Sequence, residues 1–238
     1  MKIYLIIIFI FPFILFSQNI EDSSAIKDSL KKEVENLPFT QLEATQAIKE
    51  ALLKGVDMSI SKLSVVDGYY QNEEVRILFP KNAEEQREKF VKMGLEEDIN
   101  RIVLGMNRAA ENATIFSKPL FEKAIKEINI SVAFEIISGD SSIATFYLQE
   151  KIKDSLFILF KPIIKKSLDE FDVTLYWSGL MEIYNQFPFT KDVHPDLSDY
   201  VTKEALKGIF YMIAKEEAYI RRNTSERTSE LLKKVFDE

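Results

Sequence analysis

The sequence predicts an all-α fold, a single helical bundle-like domain preceded by a signal peptide. Gly and Pro number only 7 each in 238 residues, which is too few of the turn-forming residues that an all-β fold needs. Apolar residues recur at spacings of three and four along most of the chain, as on one face of a helix. The exception is a short extended segment near residues 75–79, a strand or a packed loop, which ends at Pro80.

The N-terminal residues have the pattern of an export signal. Residues 1–18 hold one Lys and then an uninterrupted apolar run from Ile3 to Phe16. This run is shorter than the roughly 20 residues that cross a bilayer, so we expect cleavage and no transmembrane helix afterwards. Residues 19–38 are predicted to form a mobile tether or weak helix, and residues 39–238 a single helical domain. The expected location is the periplasm or cell envelope of a bacterium.

Composition argues against a nucleic-acid partner and excludes disulfides and lipid attachment through a thiol. The formal net charge is -7, and an acidic chain without a basic run repels the phosphates of nucleic acid, so we expect no nucleic-acid partner. The chain contains no Cys, so neither disulfides nor a lipidated thiol can form. The fold must therefore rest on its hydrophobic core, and a chain of this length can bury one.

Local signals place the helices in order. Thr40 and Glu43 form the T-x-x-E pattern that caps a helix start, so the first confident helix begins there. Asp67 to Tyr70 is a turn, and Gly94 is a natural helix terminator. The remaining pattern predicts helices over 83–93, 96–115, 119–128, 131–139, 140–171, 173–187, 202–222 and 227–236.

Three features of the later helices lead to specific expectations. The run from Leu156 to Phe160 is apolar on every side, which predicts burial among several helices at the centre of the core. Pro162 should kink or split the helix that contains it. Thr202 is predicted to cap the helix that continues to Arg222.

Most common hydrolase mechanisms lack their side chains. His194 is the only histidine and Cys is absent, so His-relayed nucleophiles, cysteine proteases and His-rich zinc sites cannot be assembled. Ser138-Gly139-Asp140-Ser141 superficially resembles the nucleophile block of Gly-Asp-Ser lipases, with Asp192 and His194 as partners. Because its flanks are helical, we interpret it as a helix end followed by a helix cap.

An acidic motif shortly before the helix predicted over 202–222 contains the side chains of a possible metal site. Four potential ligands fall within eight residues, namely Asp192, His194, Asp196 and Asp199. An EF-hand loop starting at Asp192 would need Gly where the chain has Leu197. We therefore expect the motif to cap the next helix and to supply ordinary surface charge, with no metal and no cofactor.

The polar cluster on the helix predicted over 96–115 is the candidate binding site. At 100° per residue, Asn107 lies on the flank of the apolar face, Glu111 is its neighbour one turn on, and Arg108 points away from the core. Either these residues form a solvated stripe, or a second helix covers them and encloses a polar pocket. Glu216, from a mixed-sign cluster near the C-terminus, could pair with Glu111 for acid/base chemistry.

The linear order of several motifs resembles that of a known family. The motifs are Ile48-Lys49-Glu50-Ala51-Leu52, Asp67-Gly68-Tyr69-Tyr70, Val75-Arg76-Ile77, Met106-Asn107-Arg108-Ala109-Ala110-Glu111, Phe160-Lys161-Pro162-Ile163 and Tyr200-Val201-Thr202. Together they resemble the bacterial family catalogued as domain of unknown function 4197, from about Phe39 to Phe236. The resemblance implies an exported or envelope-associated, mainly helical protein with no assigned activity, cofactor or catalytic residues.

The resulting hypothesis is a non-enzymatic envelope protein that binds an unknown protein or small-molecule partner. Its candidate binding residues are Tyr70, Arg76, Asn107, Arg108, Glu111 and Glu216. One alternative is a carboxylate-based hydrolase or lyase that uses Glu111 with Glu216 or Asp196. Another is a carrier of a hydrophobic ligand near Phe157, which requires a cavity.

Overall fold

The computed structural model of the protein describes residues 39–84, 87–138, 142–186 and 196–236. The signal peptide and tether predicted for residues 1–38 lie outside the described residues. The same is true of residues 139–141 of the lipase-like motif and of Asp192 and His194. Phe39–Glu238 forms one compact unit. Its described residues form helices and no strand, which confirms the prediction of an all-α fold.

The helices follow the predicted order, and most of their ends lie within a few residues of the predicted ends. The single helix predicted over 83–93 is described as two short helices, on either side of residues 85–86, which lie outside the described residues. In chain order they are α1 (Gln41–Leu63), α2 (Lys81–Glu84), α3 (Arg87–Lys92), α4 (Glu96–Thr114), α5 (Lys118–Lys126), α6 (Ile130–Ser138), α7 (Ile143–Glu170), α8 (Val173–Tyr184), α9 (Leu197–Arg222) and α10 (Glu230–Phe236). Among the described residues, none of these helices combines the length and apolarity needed to span a membrane.

The start of α1 has the predicted capping box. The hydroxyl of Thr40 accepts a hydrogen bond from the Glu43 amide at 3.2 Å, and the Glu43 carboxylate accepts one from the Thr40 amide at 2.7 Å. These two bonds satisfy amides that have no partner inside the helix. Farther along, Gly94 has φ of +83°, the left-handed conformation predicted for a helix terminator, directly after α3.

Glu43 also joins the two ends of the domain and should make its stability depend on pH. Lys234 of α10 donates to the Glu43 carboxylate at 2.6 Å. This bond and the amide of Thr40 lower the pKa of Glu43 from 4.5 to about 2. Because the carboxyl group binds its proton more readily in the unfolded chain, its contribution is complete above pH 4.5 and disappears as the pH falls toward 2.

We therefore expect the melting temperature of the Glu43→Gln variant to lie below that of the unsubstituted protein at pH 6, and the difference to vanish near pH 2. Thermal unfolding followed by circular dichroism at a series of pH values measures it. Glu230→Gln is the control, because the Glu230 side chain is 93% exposed and an exposed pair contributes little. A difference that stays constant down to pH 2 would contradict the assignment.

Helix α9 occupies the centre of the domain, where it packs against α7, α1 and α4. It is antiparallel to α7, because Thr145 near the start of α7 contacts Glu217 near the end of α9. At the opposite end, Lys161 of α7 forms an ion pair with Asp199 at 2.6 Å. Helix α4 packs against both α7 and α8, so its polar motif lies against the core.

The apolar run in α7 is buried on one face only. Leu156 and Phe160 are fully buried as predicted, but Ile158 is 74% exposed. The expectation that the whole run lies among several helices was therefore wrong. α7 also continues through Pro162, so the helix is not split. Pro162 is exposed, so water can reach the helix carbonyl that lacks a partner there.

The start of α9 also differs from its prediction. Asp196 caps the helix, and its carboxylate accepts a hydrogen bond from the Ser198 amide at 2.8 Å. Thr202, the predicted cap, is fully buried one turn inside the helix. The interpretation of the acidic motif as a helix cap is thus confirmed for Asp196.

Candidate functional site

The candidate site forms where the loop over residues 64–80 lies across α4. This loop joins α1 to α2 and includes the segment predicted to be extended. Val75, Ile77 and Phe79 are buried in alternation with the exposed Arg76 and Leu78. Of the two structures left open for residues 75–79, the packed loop is the one observed. A loop with three buried residues must find partners for its backbone groups.

The side chain of Asn107 on α4 supplies hydrogen-bond partners for the backbone in the middle of residues 75–79. Its side chain is fully buried, accepts a hydrogen bond from the Ile77 amide at 2.9 Å and donates one to the Ile77 carbonyl at 2.8 Å. The second amide hydrogen goes to the Val103 carbonyl at 2.7 Å. Asn107 thus pairs with Ile77 as a neighbouring strand would, and both of its N–H donors are used.

Glu111, one turn farther along α4, holds the first half of the loop. One carboxylate oxygen accepts from the amides of Tyr69 and Tyr70 at 3.1 and 3.2 Å, and the other accepts from Arg108 at 2.7 Å. Arg108 also binds the Asp67 carboxylate at 2.7 Å. Glu111 is 3% exposed, so this buried charge depends on its three donors, the amides of Tyr69 and Tyr70 and the guanidinium of Arg108.

Tyr69 anchors the loop to the central helix. Its ring is fully buried and its hydroxyl donates to the Ala205 carbonyl of α9 at 2.9 Å. Burial raises the pKa of Tyr69, which keeps the hydroxyl protonated as a donor. A Cβ atom at Gly208 would lie 2.6 Å from the ring, so the close approach of Tyr69 to α9 requires glycine there.

Tyr70 lies between two guanidinium groups at the surface of the loop. The guanidinium carbon of Arg76 is 4.4 Å from the centre of the Tyr70 ring, and that of Arg108 is 5.7 Å away. Both distances are in the range of cation–π attraction. Arg108 is committed to Asp67 and Glu111, whereas Arg76 is exposed and forms no ion pair with the described residues. Its donors are available to a partner.

The structure therefore brings together five of the six predicted binding residues. Tyr70, Arg76, Asn107, Arg108 and Glu111 meet where the loop crosses α4. Arg108 was expected on a solvated stripe or under a second helix, but a loop covers it instead. Closer to the start of α4, the exposed side chains of Arg101 and Glu97 pair with each other.

Glu216 has different partners. It is buried, forms an ion pair with Lys62 of α1, and its Cβ lies 3.6 Å from the position of a Cβ at Gly55. No hydrogen bond joins it to Glu111 among the described residues. The carboxylate pair that acid/base chemistry would require is not formed.

Sequence reasoning missed three contributors to the site. Asp67 and Tyr69 were interpreted as turn residues and were not included among the binding residues, and Gly208 was not connected to the loop. Asp67 has φ of +71°, the left-handed conformation that Asp tolerates better than most residues, so the turn motif did contain a signal. The contacts of Tyr69 with α9 bridge more than 130 positions of sequence and leave no local pattern.

The acidic motif gives no metal centre in the part of the chain that the structure describes. Asp196 caps α9 and Asp199 pairs with Lys161. No group of three or more potential ligands occurs among the described residues.

The fold and site define an all-α domain in which one irregular loop is fastened to a buried helix by side-chain hydrogen bonds. The chain belongs to the family described as protein of unknown function (DUF4197), whose pattern matches residues 38–237. The resemblance inferred from the sequence motifs is thereby confirmed. No curated protein and no solved structure matches the chain.

Proposed function

We propose that this protein is a non-enzymatic binding protein of the bacterial cell envelope and that the loop over residues 64–80 recognises a protein partner. The observation that carries the proposal is the free, exposed Arg76 stacked on Tyr70 in a loop held by buried hydrogen bonds. Arg and Tyr are the residues, with Trp, that most often dominate binding energy at protein interfaces.

The rigidity of the loop supports a recognition role. Asn107 and Glu111 together accept or donate four hydrogen bonds to the loop backbone. A loop held in one conformation loses little entropy when it binds, which increases affinity. Beside Arg76, the side chain of Leu78 is 60% exposed and offers an apolar contact next to the charge.

An envelope location is supported by the apolar run from Ile3 to Phe16, which has the length and flanks of an export signal. A carboxylate-based hydrolase or lyase is less well supported. The oxygens of Glu111 already accept hydrogen bonds from Tyr69, Tyr70 and Arg108, and Glu216 pairs with Lys62. Neither carboxylate is available as a general base in this arrangement.

Site-specific photo-crosslinking in the producing bacterium tests the proposal. A benzoylphenylalanine residue replaces Leu78, and irradiation is expected to give one discrete adduct on an immunoblot. The adduct should decrease at least tenfold in the Arg76→Glu variant, because the substitution removes the exposed cation that is proposed to contact the partner and puts the opposite charge in its place.

The matched control places the same crosslinker at Leu175, which is 70% exposed and belongs to α8. It should give no adduct of that size. Equal adducts at both positions, or an adduct at position 78 that is unaffected by Arg76→Glu, would overturn the assignment of this surface. A thermal unfolding curve of Arg76→Glu verifies that the variant is folded.

A further inference from the structure

A second candidate site lies on a different part of the domain, in a groove between α7 and α9. The groove has a volume of about 630 Å³ and is open to solvent along one side. This volume is within the range of about 300–1,000 Å³ that is typical of small-molecule sites. None of the loop residues discussed above lines it, so the inference is independent of the proposed function of the loop.

The two ends of the groove differ in chemistry. Because α7 and α9 are antiparallel, Lys153 of α7 lies level with Lys207 of α9, and Lys203 lies one turn farther toward the same end. Phe146, which is 61% exposed, lies at the other end, Phe210 lies near the middle, and Phe157 lies beside Lys203. We call the half with the three lysines the basic half, although Phe157 also lines it, and the half from Phe210 to Phe146 the aromatic half.

The basic half is able to accept an anion although the protein as a whole is acidic. Lys203 forms no ion pair with the described residues. Lys153 pairs with Glu150 and Lys207 with Glu204, each three residues away on its own helix, and the two lysine side chains are 45% and 71% exposed. Such pairs are weak, so both lysines can turn toward a bound anion. Asp154 is the one acidic residue among the described residues that line the groove.

The length of the groove fits a single acyl chain. From Phe146 to Lys153, which lies level with Lys207, the axis of α7 rises about 11 Å at 1.5 Å per residue, and to the level of Lys203 it rises about 18 Å. An extended chain advances about 1.2 Å per bond, so twelve carbons span about 13 Å, which lies between these two lengths. A carboxylate at the lysine end would then leave the chain against Phe210 and Phe146.

We propose that this groove binds a fatty acid of about twelve carbons, with the carboxylate near Lys203 and Lys207 and the acyl chain along the aromatic half. Such a ligand matches both the charge at one end and the apolar surface at the other. A purely apolar ligand would leave the lysines unused, and a short organic acid would leave the exposed aromatic surface uncovered.

Isothermal titration calorimetry of the purified protein with dodecanoate tests the proposal. We expect saturable binding of one dodecanoate per chain and no measurable binding of butyrate, which has the same head group and no long tail. The double variant Lys203→Gln, Lys207→Gln should bind dodecanoate about tenfold more weakly, since each exposed ion pair changes affinity by up to about fivefold. Dodecanol should bind this variant and the unsubstituted protein equally.

Lys166→Gln is the matched control, because Lys166 belongs to the same helix α7, its side chain is 78% exposed and it does not line the groove. This variant should bind dodecanoate as the unsubstituted protein does. Equal affinities of the double variant and the control would overturn the proposal, as would the absence of saturable dodecanoate binding.

A second pair of variants tests the apolar half. Phe146→Ser should weaken dodecanoate binding about tenfold, whereas Leu175→Ser, at an apolar position on α8 that is also mostly exposed, should not change it. Both side chains are mostly exposed, so neither change should prevent folding. Binding of an acidic amphipathic helical peptide in place of dodecanoate would also overturn the proposal, because it would identify a protein as the occupant.

Discussion

Replacing Asn107 with alanine is expected to lower the free energy of unfolding by about 3 kcal/mol, because it leaves the buried amide and carbonyl of Ile77 without partners. Each unsatisfied buried group costs about 1–3 kcal/mol. Water cannot replace the lost bonds easily, since Asn107 and Ile77 are both almost completely buried. Urea unfolding followed by circular dichroism measures the change.

Asn112→Ala is the matched control for this prediction. Asn112 lies on the same helix, is exposed, and donates one long hydrogen bond of 3.4 Å to the Ser167 hydroxyl. We expect its loss to cost less than about 1 kcal/mol. Hydrogen exchange adds a local measure, because the amide of Ile77 should lose its protection in Asn107→Ala before the amides of α9 do. Equal destabilisation by the two variants would show that Asn107 does not have this special role.

Replacing Glu217 with alanine should also lower the free energy of unfolding by about 3 kcal/mol. Glu217 lies near the end of α9, where this helix contacts the start of α7. The Glu217 carboxylate is 7% exposed and accepts hydrogen bonds from the amides of Ala144 and Thr145 at 3.3 and 2.9 Å. It also accepts one from the Thr145 hydroxyl at 2.8 Å and pairs with Arg221 at 3.0 Å. Glu217 of α9 thereby caps the start of α7. Its negative charge also interacts favourably with the positive end of the α7 helix dipole.

The substitution leaves two amides at the start of α7 and one guanidinium without their carboxylate. Arg221 still has the Ile136 carbonyl at 2.8 Å, which limits the loss. Glu204→Ala is the control, because Glu204 lies on the same helix and, among the described residues, forms an ion pair only with the exposed Lys207. Its cost should be less than about 0.5 kcal/mol in the same denaturant experiment. If the two glutamates cost the same, the capping role of Glu217 is refuted.

Glu217 illustrates which helix ends could be predicted from sequence. The capping box of Thr40 and Glu43 lies within four residues, so the local pattern predicted both the start of α1 and its hydrogen bonds. The start of α7 has no side-chain cap of its own at Ser142. Its cap comes from Glu217, more than 70 residues later. A contact at that distance leaves no spacing to recognise.

In the candidate site, too, the sequence predicted the local arrangement and did not predict the contacts between distant residues. The helical period placed Asn107 and Glu111 on one side of α4 as neighbours, and the structure confirms this. It did not indicate that the loop over 64–80 would cover Arg108, because an irregular segment has no period from which its position can be inferred. Glu216 was grouped with Glu111 by residue type alone, and the packing of α9 against α1 gives it a different partner, Lys62.

The sequence by itself determined the all-α class, the family, the order of the helices and the residues that share each helix face, because these depend on local propensity and on a period of 3.6 residues. Only the tertiary structure decided what lies opposite each face. It placed the loop on Asn107 and Glu111, and the lysines of α9 beside the aromatic residues of α7. Helix crossing and loop docking depend on contacts between distant parts of the chain, which no local pattern encodes.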